Sequence, residues 1–497
     1  MSSIKDIFNE NEIFEILGKT RRRRSGQVSA ILNKAEKKQG LSLEDVGCLI
    51  NAEEPELIEK IFKTAGKIKR EIYGERLVLF APLYVSNFCV NDCEYCGFHR
   101  CNSAPRRKLT LDEVGEQVRI LEDMGHKRLL LEFGEHPTEN PIDYVADVIR
   151  KIYRTKSRPR LRASFVGSAS AEKTGQGLGG QWGEIRRVNV NIAATTAQDY
   201  KKLKEAGIGT YQLFQETYHR ETYKKLHNGP KEDFERQLFA HNRAFEAGID
   251  DVGLGVLFGL YDWKFEVLAL VSHAQYLDRE FGIGPHTFSV PRFQPAETVD
   301  WQQQYPVSED ELLLIIAILR LAVPYTGMII STRERPEIRA KAFEIGISQA
   351  SAGSRASPGG YGSNQKSSSI PIKKKKTQNL KLLNQFHLQD ERSLDETLES
   401  ILRQGLLPSF CTACYRSSRT GKTFMDLAKP GDIQDFCRPN AILTFQEYLE
   451  DYASPAVEEL GRKIIDQYLR EIPDEKKRSQ TIEKLEKIKK GKRDLYF

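Results

Sequence analysis

Three thiols stand at Cys89, Cys93 and Cys96, spaced C-x3-C-x2-C with Tyr95 just before the last. A [4Fe–4S] cube that only carries electrons takes four cysteine ligands, so a loop supplying three leaves one iron open to other chemistry. A zinc site completed by Cys101 or His99 is the alternative. Zinc takes four tetrahedral ligands, often from paired C-x2-C units, and an x3 gap followed by x2 matches that poorly. A second group, Cys411, Cys414 and Cys437, is spaced C-x2-C-x22-C and again stops at three. Six of the eight cysteines therefore fall in two tight groups, the pattern of metal ligation in a reducing compartment rather than of a disulfide scaffold. Cys48, in an apolar helical pattern, reads as a small buried residue.

The elements that must position these groups are legible in the hydrophobic pattern. Residues 1–75 carry apolar positions at helical spacing and form a helical preface. From residue 77 apolar runs of strand length alternate with amphipathic stretches, the signal for repeated βα units and a parallel sheet. Strands are expected at 77–86, 128–133, 187–192, 210–215, 251–258, 286–293, 327–332 and 347–352, and helices among them at 111–124, 197–206, 234–247, 265–281, 309–322 and 336–345. Eight such units predict a closed (β/α)8 barrel spanning 76–353, with its chemistry at the carboxyl ends of the strands. There the first thiol loop follows strand one, Gly134 and Glu135 end strand two, and Glu216 ends strand four. Arg333 ends strand seven at the same mouth. His286 begins strand six and belongs to the opposite mouth. If residues 381–497 close that mouth, its imidazole becomes a metal ligand; otherwise it is a structural histidine.

Two stretches break the rhythm. Residues 155–185 read as an insertion, and residues 354–380, rich in serine and lysine, as a polar linker before a C-terminal domain at 381–497. Gly175-x-Gly177-x-x-Gly180 spells a dinucleotide fingerprint but lacks the strand before it and the helix after it. Arg419-Thr-Gly421-Lys422-Thr423 is not a phosphate loop, because Arg416 stands where the first glycine is required. From residue 445 the tail reads as helical and charged, with Lys/Glu pairs suited to an exposed face.

Net charge is +6, with 75 basic residues against 69 acidic ones, and the excess sits in runs at 21–24, at 373–376 and in the tail. No interleaved aromatic or base-reading motif accompanies these runs, which excludes nucleic-acid binding. No run of eighteen apolar residues and no secretory or transit pattern is present. A soluble cytoplasmic protein is expected, with an organelle matrix as the alternative.

The C-x3-C-x2-C loop with its aromatic resembles that of the radical S-adenosylmethionine (SAM) superfamily. The resemblance narrows over residues 77–96 (LVLFAPLYVSNFCVNDCEYC), within 185–218 (IRRVNVNIAATT and IGTYQLFQETY), 249–262 (IDDVGLGVLFGLYD), 284–292 (GPHTFSVPR) and 347–361, and through the second cysteine group and Pro439-Asn-Ala. These segments are similar to the tyrosine lyases that mature [FeFe]-hydrogenases. The C-x2-C-x22-C element separates that family from the tyrosine lyase of thiazole biosynthesis, which forms 2-iminoacetate. The resemblance implies two [4Fe–4S] clusters, one binding SAM through Cys89, Cys93 and Cys96, the other auxiliary on Cys411, Cys414 and Cys437 with an extra iron near His286. It implies that Phe133-Gly134-Glu135 meets the SAM amino group, in place of the usual two glycines. Glu216 would meet the ribose, or else form a surface salt bridge; Tyr95 would meet the adenine, or else pack in the core. Arg333 would hold the tyrosine carboxylate, assisted by Ser351. The reaction implied is cleavage of L-tyrosine to p-cresol and dehydroglycine, then formation of CO and cyanide. Implied partners are the other hydrogenase maturation proteins and an electron donor such as ferredoxin or flavodoxin.

Overall fold

The computed structural model describes residues 3–21, 25–156, 185–362 and 384–497. The glycine-rich stretch at 175–180, the lysine run at 373–376 and most of both expected insertions lie outside these residues.

Eight parallel strands follow one another around a closed barrel: β1 Arg76–Ser86, β2 Arg128–Phe133, β3 Arg187–Asn191, β4 Tyr211–Gln212, β5 Val252–Gly255, β6 Thr287–Ser289, β7 Gly327–Ile330 and β8 Gln349–Ser351. Each pairs with its neighbours in chain order, and β1 closes the ring by pairing with both β8 and β2. Both faces of the sheet are covered, which is why the strands read as continuous apolar runs. Along β2 the alternation is visible: Leu129 and Leu131 join the main core beneath the helices, while Leu130 meets Phe80 and Ile329 in a small apolar cluster inside the barrel.

Helices cross between the strands on the outside. Leu111–Asp123 and Glu309–Ala322 start at capping boxes, Thr110 with Glu113 and Ser308 with Glu311, as their sequences dictate. The second of these is buried from Leu312 to Ala322 because the N-terminal helix Pro55–Tyr73 packs across it. Arg320 on the same helix is wholly buried, yet its guanidinium donates to the carbonyls of Pro324, Thr326 and Gly346. A buried cation persists when its donors are satisfied in this way.

Several elements differ from the sequence expectation. The strands expected at 210–215, 286–293 and 347–352 are shorter, Tyr211–Gln212, Thr287–Ser289 and Gln349–Ser351, although Leu213 and Gln215 still donate to the carbonyls of Gly253 and Gly255 beyond β4. The helix at 234–247 is two, Phe234–Leu238 and Ala240–Glu246, broken at Phe239. The linker expected from 354 begins later, since residues 354–361 are mostly buried and Tyr361 bonds to Gln117 and to the Pro82 carbonyl. The charged tail has its exposed face on the helix Glu475–Lys489, but Phe445 to Leu449 are buried within the helix Gln434–Asp451. A ninth strand, unforeseen in the sequence, ties the C-terminal residues to the barrel: β9 Leu407–Ser409 pairs in parallel with Arg76, Leu77 and Val78. Three residues between Leu406 and Phe410 are too short a run to signal a strand alone.

The segment that returns to the barrel at 384–392 is anchored by a buried ion pair between Asp390 and Arg339, whose other nitrogen donates to the Ser351 carbonyl. Removing one partner of such a pair leaves a buried charge uncompensated. Asp390→Ala is expected to destabilise the metal-free protein by about 3–5 kcal/mol, read as a lower urea midpoint.

Candidate active site and second metal centre

The loop carrying Cys89, Cys93 and Cys96 is pinned from three directions. The Val90 amide donates to the Glu135 carbonyl at 2.7 Å, Asp92 to Asn228 at 2.9 Å, and Glu94 to Leu226 at 3.1 Å. From within, Arg106 gathers the carbonyls of Asn87, Phe98 and His99. Five donors in a rigid fork suit this work. His99 Nδ1 lies 2.7 Å from Asp92 Oδ1, and the Cys101 amide donates to the same oxygen at 3.1 Å. The histidine proposed as a fourth zinc ligand is thus turned toward Asp92, and Cys101 is exposed.

The three thiols line one cavity with Tyr95, Gly134, Glu135, Glu216, Arg333 and Ser351. Gly134 makes this possible. A Cβ there would sit 2.3 Å from the Phe88 carbonyl oxygen and 3.1 Å from the Cys89 Cβ. Only a residue without a side chain lets the turn after β2 approach the thiol loop so closely. Burial pushes the Cys93 and Cys96 thiols up, and the Lys231 ammonium partly opposes this at both. Asn91 Nδ2 and Gln385 Nε2 each lie 3.8 Å from a thiol, Cys89 and Cys96 respectively. A loop of three soft donors on one cavity, with one neighbouring cation and two amide donors, fits a three-cysteine cube, whose thiolates bind only after losing their protons.

Glu135 accepts from Arg236 and from Asn91, both at 2.6 Å. Glu216 has φ +70° and accepts from Lys231 at 2.6 Å. Its pair is no surface salt bridge: both side chains are less than one-fifth exposed and line the cavity. A left-handed glutamate costs backbone energy that the surroundings must offset, here through the Leu257 amide on its carbonyl. Tyr95 donates to His227 Nε2 at 2.8 Å, because His227 Nδ1 donates to the Tyr223 carbonyl at 2.7 Å and burial keeps that imidazole neutral. The ring of Tyr95 is thereby fixed at the cavity wall. Arg333 lies over the Phe386 ring at 3.3 Å and, among the described residues, has no carboxylate within 4.0 Å. Ser351 Oγ accepts from the Thr332 amide at 3.2 Å, placing the end of β8 beside Arg333.

At the opposite mouth Arg76, Arg128 and Arg187 occupy the first positions of β1, β2 and β3. Arg128 donates to the Cys411 carbonyl at 3.1 Å, and the Arg76 guanidinium faces Cys411, Cys414 and Cys437. Burial pushes the Cys437 thiol up to about 12, with Arg76 opposing. His286 lies just before β6, its Nδ1 3.9 Å from Asp251 and its ring 4.2 Å from that of Phe424. Burial, opposed by Asp251 and reinforced by the same three arginines, lowers it to about 4, which keeps the imidazole neutral, the form able to ligate a metal. Residues after β9 close this mouth: Phe424 covers His286, and Thr420 reaches Asp250 at 3.1 Å. This donor set too fits a three-cysteine cluster with a histidine at its edge.

Lys231, His227, Asn91 and Arg236 escaped the sequence reading. Asn91 stands within the thiol motif itself and could have been found there, whereas only folding brings Lys231, His227 and Arg236 to the thiols. Arg128 and Arg187 of the lower mouth could have been found, since each opens an expected strand, while Arg76 stands one residue before the strand expected at 77–86.

Residues 83–270 match the Radical SAM superfamily and residues 289–407 the Biotin and Thiamin Synthesis associated domain. The 2-iminoacetate synthase of Escherichia coli (strain K12) is 28% identical over 390 residues, 78% of this chain and 92% of that protein. Among solved structures, that of HydG, a maturase of the [FeFe]-hydrogenase, is 47% identical and covers 99% of this chain and 100% of its own, with a TM-score of 0.88. The FeFe-hydrogenase maturase HydG from Carboxydothermus hydrogenoformans is 38% identical over 97% of this chain and 100% of its own, with a TM-score of 0.79. Matched along nearly its whole length at 47% identity, this chain belongs to the HydG family of radical SAM enzymes.

Proposed function

We propose that the protein cleaves the Cα–Cβ bond of L-tyrosine to p-cresol and dehydroglycine, and turns the smaller fragment into CO and cyanide for [FeFe]-hydrogenase maturation. The observation that carries this reading is the placement of two cysteine triads at opposite mouths of one barrel, each with its own set of buried charges. Cys89, Cys93 and Cys96 would hold the SAM-binding cube, with Tyr95, Gly134, Glu135 and Glu216 around SAM. Cluster and SAM together supply a 5′-deoxyadenosyl radical when bound. The chain's own part is to fix the substrate: the planar fork of Arg333 suits a carboxylate, and Ser351 stands beside it. Phe386 and Gln385, from the segment returning at 384–392, line the cavity, and Tyr84 donates to Gln385 at 2.9 Å.

Below, the apolar cluster of Phe80, Leu130 and Ile329 floors the cavity. Cys411, Cys414 and Cys437 would hold the auxiliary cube and His286 the extra iron, in a unit formed by 384–497 against the 76–353 barrel. Other maturation proteins would take the product, and a ferredoxin or flavodoxin would supply electrons. No helix among the described residues is long and apolar enough to cross a membrane.

A lyase that stops at 2-iminoacetate for thiazole synthesis is the second reading, favoured by the likeness to 2-iminoacetate synthase. It has no use for the lower triad. In the anaerobically reconstituted protein given reductant, SAM and tyrosine, replacing Cys411, Cys414 and Cys437 with alanine is expected to leave p-cresol formation largely intact and abolish CO trapped by ferrous haem. Iron per chain should fall by about four, one cube's worth. Loss of p-cresol in a folded variant would defeat the two-site reading, and absence of CO from the intact protein would favour the thiazole-type lyase. Arg333→Lys keeps the charge but not the fork, and is expected to lower kcat/KM for tyrosine by roughly 10- to 100-fold, a loss of about 1.5–3 kcal/mol. SAM affinity measured on the same variant should not change.

A further inference from the structure

Three carboxyl groups reach the upper cavity, and two of them have cations as partners. Glu135 is held by Arg236 and Glu216 by Lys231. The third, Glu132, projects from β2 on the same face as Leu130, between its register partners Tyr84 on β1 and Asn191 on β3. The Asn191 side chain, beside it on the neighbouring strand, favours its ionised form. Among the described residues it has no Lys, Arg or His within ion-pair distance. Arg333, on another wall of the same cavity, is the complementary case of a guanidinium without a carboxylate. An α-amino acid carries an anion and a cation on one carbon, and a cavity that holds a carboxyl and, in Arg333 and Arg355, guanidiniums with no ion partner among the described residues offers a match for both.

We propose that Glu132 is the base for the substrate amine, accepting a proton from the α-ammonium of a tyrosine whose carboxylate is bound by Arg333. An N–H bond of the ammonium breaks heterolytically, an O–H bond forms on the carboxylate, and no electron is transferred. The product is a neutral amine with a lone pair beside the N–H from which hydrogen is then taken, whereas an ammonium has none to stabilise the resulting radical. This assignment rests on the tyrosine-lyase reading.

The surroundings suit the task. Desolvation holds Glu132 up to about 8, with Asn191 and Arg333 opposing and Glu216 adding to the rise. The other titratable group facing it, Tyr84, is kept protonated by burial. Since the base form is required, activity should fall as pH drops below that range, and a proton acceptor works best when its own ionisation lies near the working pH.

The test uses reconstituted holoenzyme, Glu132→Gln and Glu132→Asp, with three measurements: SAM affinity, binding of radiolabelled tyrosine by equilibrium dialysis, and p-cresol formation against pH. In Glu132→Gln, SAM affinity should stay within about twofold and kcat near neutral pH should fall on the order of 100-fold. Its rate should climb steadily toward high pH, because only tyrosine already carrying a neutral amine remains productive. Glu132→Asp should recover part of the rate and retain an ionisation in the profile. Wild-type kcat and an unchanged profile in Glu132→Gln would overturn the assignment while leaving the lyase reading intact. A loss of SAM affinity that matches the loss of rate would also overturn it, by moving Glu132 to the SAM site. No p-cresol from the wild-type enzyme would overturn the lyase reading and this assignment with it.

Discussion

The upper mouth depends on the close approach of two turns. The loop after β1 brings three thiols over the barrel, and the turn after β2 must pass beneath it with no room for even a methyl group at Gly134. Backbone bonds from Gly134 to Ser86 and from Val90 to Glu135 lock the two together. Cys89 and Glu135 are neighbours for this reason, and Asn91 can bridge from the thiol loop to the carboxylate. A side chain at 134 would push the loop off the mouth and spread the thiols apart.

Charge is distributed differently at the two ends. The upper cavity holds carboxyls matched to Arg236 and Lys231, together with Glu132 and Arg333, which have no ion partner among the described residues. The lower mouth holds three arginines from consecutive strands, with Asp251 paired to Arg187 and the other two facing cysteines. Cations buried beside thiols lower the cost of thiolates there, and a metal cluster exploits that only where the thiols also converge. Buried cations such as Arg128 and Arg187 are costly unless anions or acceptors meet them, as Asp251 and the Cys411 carbonyl do here.

The C-terminal residues are joined to the barrel at both ends rather than hung from it. At the top, 384–392 is held by Arg339 and Thr332 over the cavity, and at the bottom β9 extends the sheet beside the first residues of β1. One segment therefore covers the upper site and continues through Leu394–Arg403 to supply all three thiols of the lower one.

Much of this was legible in the sequence, for a local reason. Strand and helix periodicity, capping boxes and cysteine spacing are all short-range, and a closed barrel converts strand order into position around a ring and strand ends into opposite mouths. The placing of Cys89, Glu135, Glu216 and Arg333 at one mouth and His286 at the other follows from those two facts. Tertiary structure alone decided what each group touches. Lys231 meets Glu216, His227 fixes Tyr95, and Arg76 faces Cys437 across hundreds of residues of chain, contacts that no periodicity encodes. The state of Glu132 was undecidable for the same reason: within Leu-Leu-Leu-Glu-Phe it is one polar residue in an apolar run, and only the closed barrel sets it in a cavity wall where, among the described residues, no cation lies within ion-pair distance.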